Sequence, residues 1–238
     1  MSLDNETVVV VGGSSGIGLA TVKRLAAAGA RVFATGRDAA KLHASIAELG
    51  PRVIGEAFDA RDRDALDGFF AKVGPFDHLV LALSGGHGAG QFAQLDLGLL
   101  RQGFEEKFWP QLEAAQAGIP RLRQPGSITF ITAISATLSN PGVAGLGAIN
   151  GALESMIGSL ARELKRVRVN AVSPGVTDTP WWDRFPAEAK AAIFAQQAEN
   201  PAGRVGQPQE VAHAVQFLIE NPLMTGAVIQ CDGGMRLL

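Results

Sequence analysis

Thr7-Val8-Val9-Val10-Val11-Gly12-Gly13-Ser14-Ser15-Gly16-Ile17-Gly18 decides the fold. The five-residue run Thr7–Val11 has no polar alternation, so it reads as a strand buried on both faces. A glycine-rich turn follows at once, and a helical pattern begins at Gly16. Glycines permit a tight turn and let backbone N–H groups approach an anion, and the helix N-terminus adds a favourable dipole. The spacing is Gly13-x-x-Gly16-x-Gly18, not G-x-G-x-x-G. The strand–turn–helix setting makes a pyrophosphate cradle the first reading, with an unliganded glycine turn as the alternative.

Outward from that stretch, short β-branched runs alternate with longer helical patterns. Gly16–Ala28 reads as a helix closed by Gly29, Arg31–Thr35 as a second strand, and Asp38–Leu49 as a second helix stopped by Gly50-Pro51. A third strand is expected at Arg52–Phe58, a third helix at Asp62–Val73 and a fourth strand at His78–Leu83. Leu97–Ala117 reads as a long helix with a potential bend at Pro110. Ser127–Thr132 reads as the fifth strand, Gly145–Arg166 as a second long helix and Arg168–Val172 as the sixth strand. Gln207–Glu220 and Ala227–Cys231 complete the pattern. It predicts a single α/β domain over residues 1–238, a Rossmann-like doubly wound parallel sheet of about seven strands with helices on both faces. Residues 176–203, rich in Pro, Ala and Trp, are the one long irregular segment and are expected to form a substrate lid.

Composition narrows the function. The chain has 21 basic and 23 acidic side chains, a near-neutral balance that argues against a nucleic-acid partner. The single cysteine, Cys231, forbids an intrachain disulfide and fits a reducing, cytoplasmic setting. No apolar run reaches the roughly 18–20 residues of a membrane span, and no His/Cys/Asp/Glu cluster has metal-ligand spacing. His43 and His213 read as surface residues on helices. There is no tyrosine, so a phenolic acid or base is excluded.

The second strand ends at Thr35-Gly36-Arg37. A carboxylate there would hold a ribose 2′-hydroxyl, whereas an arginine accommodates a 2′-phosphate. The sequence therefore predicts NADP(H) in preference to NAD(H), with a solvated Arg37 as the alternative.

These features together resemble the short-chain dehydrogenase/reductase family over nearly the whole chain. The glycine loop is similar to the family's Thr-Gly-x-x-x-Gly-x-Gly, with Gly12 in the Thr position. Phe58-Asp59-Ala60 resembles the family's adenine-contacting Asp-Val pair. Arg168–Gly175 resembles its Arg-Val-Asn…Pro-Gly segment, and Val176-Thr177-Asp178-Thr179 continues it. Gly203-Arg204, residues 208–212 and Thr225-Gly226…Asp232-Gly233-Gly234 resemble its C-terminal signatures. The resemblance implies cofactor contacts from Gly12, Gly13, Ser14, Ser15, Gly16, Ile17, Gly18, Arg37, Asp59, Ala60, Asn150, Pro174, Gly175 and Thr177, the last beside the nicotinamide amide. It also implies a homodimer or homotetramer through the two long helices.

The family's chemistry rests on an Asn, a Ser and a Tyr-x-x-x-Lys pair. The Lys lowers the phenol pKa and holds the nicotinamide ribose, and the Tyr gives or takes the substrate proton. Counting back from Arg168-Val169-Asn170 places the pair on Leu146 and Asn150, the Ser on Ala133 and the Asn on Lys107. No register slip restores the pair, because no lysine lies between Lys107 and Lys165. Thr132 and Ser135 flank the Ser position and are candidates to donate to a substrate oxygen, or else to cap the strand end.

Two further residues are candidates for proton transfer. His87 lies in the loop Gly85-Gly86-His87-Gly88 after the fourth strand, and histidine titrates near neutral pH. Lys107 could act as acid, base or Schiff-base amine if desolvated. The plainer readings are a solvent-exposed loop histidine and a lysine paired with a neighbouring glutamate. Trp181-Trp182 could stack on an aromatic or apolar substrate or simply pack the lid, and Asp178 reads as a cap.

Three functions follow. The first is an NADP-dependent oxidoreductase with a non-standard proton relay, acting on a carbonyl or an activated C=C bond. The second is a catalytically inactive NADP-binding sensor or partner subunit. The third is a non-redox lyase or cyclase. Ordinary tyrosine-dependent ketoreduction is expected to be absent.

Overall fold

The first strand, β1 (Thr7–Val11), divides its valines between two cores. Val9 and Val11 pack with Leu66, Phe69, Phe70, Leu153 and Ile157. Val8 and Val10 pack with Val22, Leu25, Leu42, Val211, Val215 and Leu218. This two-sided burial is why the run carries no polar residue. The computed structural model describes residues 3–238.

The chain continues as α1 (Gly16–Ala27), β2 (Arg31–Gly36), α2 (Ala39–Ile46), β3 (Val53–Ala57), α3 (Arg63–Val73) and β4 (Phe76–Leu81). Then come α4 (Leu97–Gly103), α5 (Trp109–Gly118), β5 (Leu122–Ile131), α6 (Ala144–Glu163), β6 (Val167–Pro174), α7 (Ala187–Gln197), α8 (Pro208–Glu220) and β7 (Val228–Cys231). The seven strands form one parallel sheet in the order β3-β2-β1-β4-β5-β6-β7. One core lies under α1, α2 and α8, the other under α3, α5 and α6. The order reverses between β1 and β4, and in an open α/β sheet ligands bind outside the carboxyl ends at that point.

Helix starts follow local chemistry. The Asp38 and Asp62 carboxylates accept backbone N–H groups of Lys41 and Ala65, which caps α2 and α3. Two expectations need correction. Residues 176–203 are not irregular: Pro180–Arg184 forms a 3₁₀ turn and Ala187–Gln197 forms α7. That sequence, AEAKAAIFAQQ, is rich in good helix formers but presents no buried stripe. The expected bend at Pro110 is instead a π-helical turn, Phe104–Phe108, between α4 and α5. The N–H of Trp109 bonds the carbonyl of Phe104, five residues back. Proline has no N–H to give Glu106, and its ring clashes with a carbonyl four residues earlier, so the chain widens just before it.

Candidate active site

A cleft of about 830 Å³ opens at the carboxyl ends of the strands. Its floor is the glycine loop. Gly12 has φ +91°, and a β-carbon there would stand 2.8 Å from the Ala82 carbonyl oxygen. A β-carbon on Gly18 would collide with the Gly12 carbonyl, so the α1 N-terminus approaches the loop as only glycine allows. Gly12, Ser14, Ser15, Gly16, Ile17 and Gly18 line the cleft. Gly13 does not face it; its N–H donates to the Thr35 carbonyl at 2.7 Å and it packs against Ala34 and Val22. Sequence spacing cannot separate a loop glycine that meets ligand from one that lets helix and strand close up.

No side chain caps the first turn of α1, and no acidic residue stands in it. Its N–H groups and positive dipole end are therefore open to an anion. At the tip of β2, Arg37 and Lys41 line the cleft beside Gly36. Asp59 and Ala60 line it nearby, where Asp59 is forked by the Arg61 side chain, whose hydrogen bonds hold its carboxyl below the usual range. Pro174, Gly175 and Thr177 form the opposite rim, with the Thr177 hydroxyl donating to the Gly175 carbonyl at 3.0 Å.

The four positions that the resemblance assigns to chemistry, Lys107, Ala133, Leu146 and Asn150, all line this one cleft. Asn150 is 3% exposed; its amide donates to Ser135 Oγ at 3.1 Å and to the Leu146 carbonyl at 3.0 Å. Its Oδ1 is buried with no partner in the protein. An orphaned acceptor of this kind costs about 1–3 kcal/mol unless a ligand donor meets it. The empty acceptor, the open α1 N-terminus, the glycine cradle and the cations at β2 together fit a phosphorylated dinucleotide.

Lys107 is not paired with a neighbouring glutamate, as its plainer reading supposed. The π turn projects it inward, and its Nζ donates to the Thr132 carbonyl at 2.9 Å. Burial pulls its pKa down to about 8, against an upward push from Glu154. Thr132 is not a free substrate donor: its hydroxyl donates to Glu154 Oε1 at 2.7 Å. Ser135 accepts from Asn150 through its oxygen, so its own hydrogen stays available to a substrate.

His87 is not a free loop side chain either. Its Nδ1 lies 2.9 Å from Glu106 Oε1, and Glu106 Oε2 accepts the Gly86 N–H at 2.7 Å. Burial pushes the Glu106 carboxyl up, but hydrogen bonds from Gly86, Gln102 and His87 outweigh it and leave its pKa below the usual value. His43 and His213 are exposed, as expected.

Residues of the 176–203 segment wall the far side. Trp181 donates to the Gly85 carbonyl at 2.7 Å and Trp182 to the Thr177 carbonyl at 3.0 Å. Both rings line the cleft, and the Arg184 guanidinium stacks over Trp181 at 4.3 Å. Asp178 is not a cap; its carboxylate faces Lys190 of α7 at 3.6 Å, and Thr179 starts the 3₁₀ turn. Sequence reading missed Glu154 and Glu106, because each acts through a partner distant in the chain, and Arg184, which stacks on Trp181 only once the 3₁₀ turn brings the two together. Among the described residues no group of three or more His, Cys, Asp and Glu could hold a metal, and no helix is long and apolar enough to cross a membrane.

This fold and this cleft define a class, the Rossmann-type α/β protein with a ligand cleft at its topological switch point. A family model described as enoyl-(acyl carrier protein) reductase matches residues 11–236. An oxidoreductase of Sarocladium schorii, asL5, is 32% identical over 98% of this chain and 96% of its own. The 3-oxoacyl-[acyl-carrier-protein] reductase FabG of Thermotoga maritima is 30% identical over 99% of each chain. A solved structure described as a small-chain dehydrogenase in complex with NADPH superposes with a TM-score of 0.86 at 32% identity, covering 99% of this chain and 100% of that one. The chain belongs to the short-chain dehydrogenase/reductase family of oxidoreductases.

Proposed function

We propose that this protein is an NADP(H)-dependent oxidoreductase that reduces an activated C=C bond or a carbonyl on an apolar or aromatic substrate, with Lys107 in place of the family's tyrosine as the proton-bearing group. The observation that carries this is the Lys107 ammonium, buried in the cleft wall on the Thr132 carbonyl. NADPH, when bound, supplies the hydride. Arg37 and Lys41 would hold its 2′-phosphate, the α1 N-terminus its pyrophosphate, and Asn150 Oδ1 would accept from a ribose hydroxyl. Lys107 holds a proton at Nζ beside the oxygen on which negative charge develops, and Ser135 donates its hydroxyl to the same oxygen.

Reduction of a conjugated C=C bond suits this set best. Hydride addition at the β-carbon leaves an enolate, and a desolvated ammonium stabilises that oxygen more than it would in water. Leu138, Val143, Leu146, Ile149, Trp181 and Trp182 give the substrate an apolar bed. The description of the matching family model, which names an enoyl reduction, supports this choice, while the FabG relative keeps a carbonyl in the panel.

The test is NADPH oxidation against α,β-unsaturated carbonyls and apolar ketones. Substrate-dependent oxidation is expected, reduced about 10²–10⁴-fold in Lys107→Met. Tight NADPH binding with no turnover across the panel would favour the second reading, a non-catalytic NADP-binding subunit, which the hydroxyl-free side chains at Ala133 and Leu146 support. Turnover without NADPH consumption would favour a lyase or cyclase. The assembly proposed is a homodimer or homotetramer through α4–α5 and α6, where Leu97, Leu99 and Trp109 are exposed; light scattering of the purified protein tests it.

A further inference from the structure

We infer that Glu154 is a positioning residue, the countercharge of Lys107, acting through Thr132 at the β5 tip. The inference rests on the reading of Lys107 as the proton-bearing group, and its test separates the two.

Thr132 is bonded at both ends. Its carbonyl accepts from Lys107 Nζ at 2.9 Å, and its hydroxyl donates to Glu154 Oε1 at 2.7 Å. The same Oε1 accepts a second hydroxyl, from Ser173 at the end of β6, also at 2.7 Å. Two hydroxyls converge on that one oxygen and hold the Glu154 carboxyl group in place against the ends of β5 and β6. Lys107 comes from the π turn, which packs against α6 on the same face of the sheet, and cation and anion meet through one residue that neither helix supplies.

The energetics require such a partner. A completely buried lysine with no anion nearby gives up its proton at neutral pH. Burial drives Lys107 down, and Glu154 is the charge that resists it. The other charged groups around Lys107 are engaged elsewhere. Glu105, on the same turn, is exposed. Glu106 is taken by Gly86, Gln102 and His87. Arg184 of the lid stacks on Trp181. Neutral neighbours Ser135 and Asn150 bond one another.

The test uses the full chain with Glu154 changed to Gln. The amide oxygen still accepts from Thr132 and Ser173, so the shape is kept and the charge is lost. Glu154→Leu is the second variant; there Thr132 turns to the Val172 carbonyl, already 3.3 Å away. The first readout is the pH dependence of Lys107 labelling by dinitrofluorobenzene in cofactor-free protein, followed on the Lys107 peptide. Both variants are expected to move the midpoint down by about one pH unit or more, and Glu154→Asp to hold it near the wild-type value. The second readout is the pH profile of kcat/KM with NADPH, whose high-pH limb is expected to move by the same amount. An unmoved labelling midpoint in the variants would overturn the inference. A moved midpoint with turnover indifferent to Lys107→Met would uphold the coupling and sink the catalytic reading instead.

Discussion

The indole N–H of Trp181 donates to the carbonyl of Gly85 across 96 residues of chain, and this bond joins the 3₁₀ turn of the proposed lid to the glycine strap after β4. The contact is local and specific: Arg184 stacks on the same ring, and its guanidinium stands where a β-carbon on Gly86 would be. Trp181→Phe keeps a ring and removes the donor. One neutral hydrogen bond contributes about 1 kcal/mol, which is roughly a five-fold change in the closed fraction. Faster tryptic cleavage at Arg184 and Lys190 is expected, with a several-fold higher KM and an NADPH affinity changed much less. Cleavage at the wild-type rate would show that the latch does not hold the lid.

Arg37 and Lys41 give the β2 tip its charge, and the adjacent carboxylate, Asp38, is engaged as the α2 cap and does not line the cleft. Arg37→Ala removes a charge-assisted contact of about 1.5–3 kcal/mol to a 2′-phosphate. NADPH affinity is expected to fall about 10–100-fold while NADH affinity stays within about two-fold. Calorimetry with both nucleotides checks this, and an equal loss for the two would place Arg37 outside the phosphate site.

The parallel sheet and the glycine cradle were legible because each rests on local chemistry. Val8–Val11 can be hydrophobic throughout only if both faces are covered, and Gly12 and Gly18 can approach their neighbours only without a β-carbon. The chemistry of the cleft was less legible, because it depends on which side chains meet. Lys107 looks like a surface lysine next to two glutamates until the π turn directs it inward, and that turn depends on Pro110. Thr132 looks like a free donor until Glu154, 22 residues on, claims its hydroxyl. The α7 helix escaped notice because it buries no stripe against the core.

Lys107 makes a stability prediction with a definite sign. Its pKa in the folded protein is about 8, below the ordinary lysine value, so the folded state disfavours the ammonium. Between about pH 8 and pH 10.5 the unfolded chain binds the extra proton, and stability from this residue rises with pH across that window. At pH 7 the buried charge costs the fold on the order of 3 kcal/mol. Lys107→Met removes that cost but leaves the Thr132 carbonyl without its donor, a loss of about 1–2 kcal/mol. The variant is therefore expected to be more stable than wild type at pH 7 by about 1–2 kcal/mol, an advantage that shrinks or reverses by pH 10. Thermal denaturation of both proteins across that range measures it, and a stability difference independent of pH would mean that Lys107 is not desolvated.

Rebuilding the family's residues tests whether the site is a damaged version of the ordinary one or a different solution. Ala133→Ser, Leu146→Tyr and Asn150→Lys restore the hydroxyl, the phenol and the lysine that the resemblance puts there. With Lys107 kept, the triple variant holds two ammonium groups in one part-buried cleft. Like charges in such a setting oppose each other by about 1–3 kcal/mol, and the new lysine also displaces the Asn150 bonds to Ser135 and Leu146. The triple variant is expected to melt lower than wild type and to reduce an apolar ketone poorly, because a lysine stripped of its proton cannot lower a phenol pKa. Adding Lys107→Asn removes the competing charge and supplies the side chain that the resemblance puts at that position. Ketone reduction is then expected to rise about 10–100-fold over the triple variant, with recovery of the melting temperature. Equal activity in the two variants would show that residue 107 lies outside the electrostatic reach of position 150. A rise seen only in the fourfold variant would mean that Lys107 excludes the tyrosine–lysine pair, so that the two proton-bearing arrangements are alternatives within one fold.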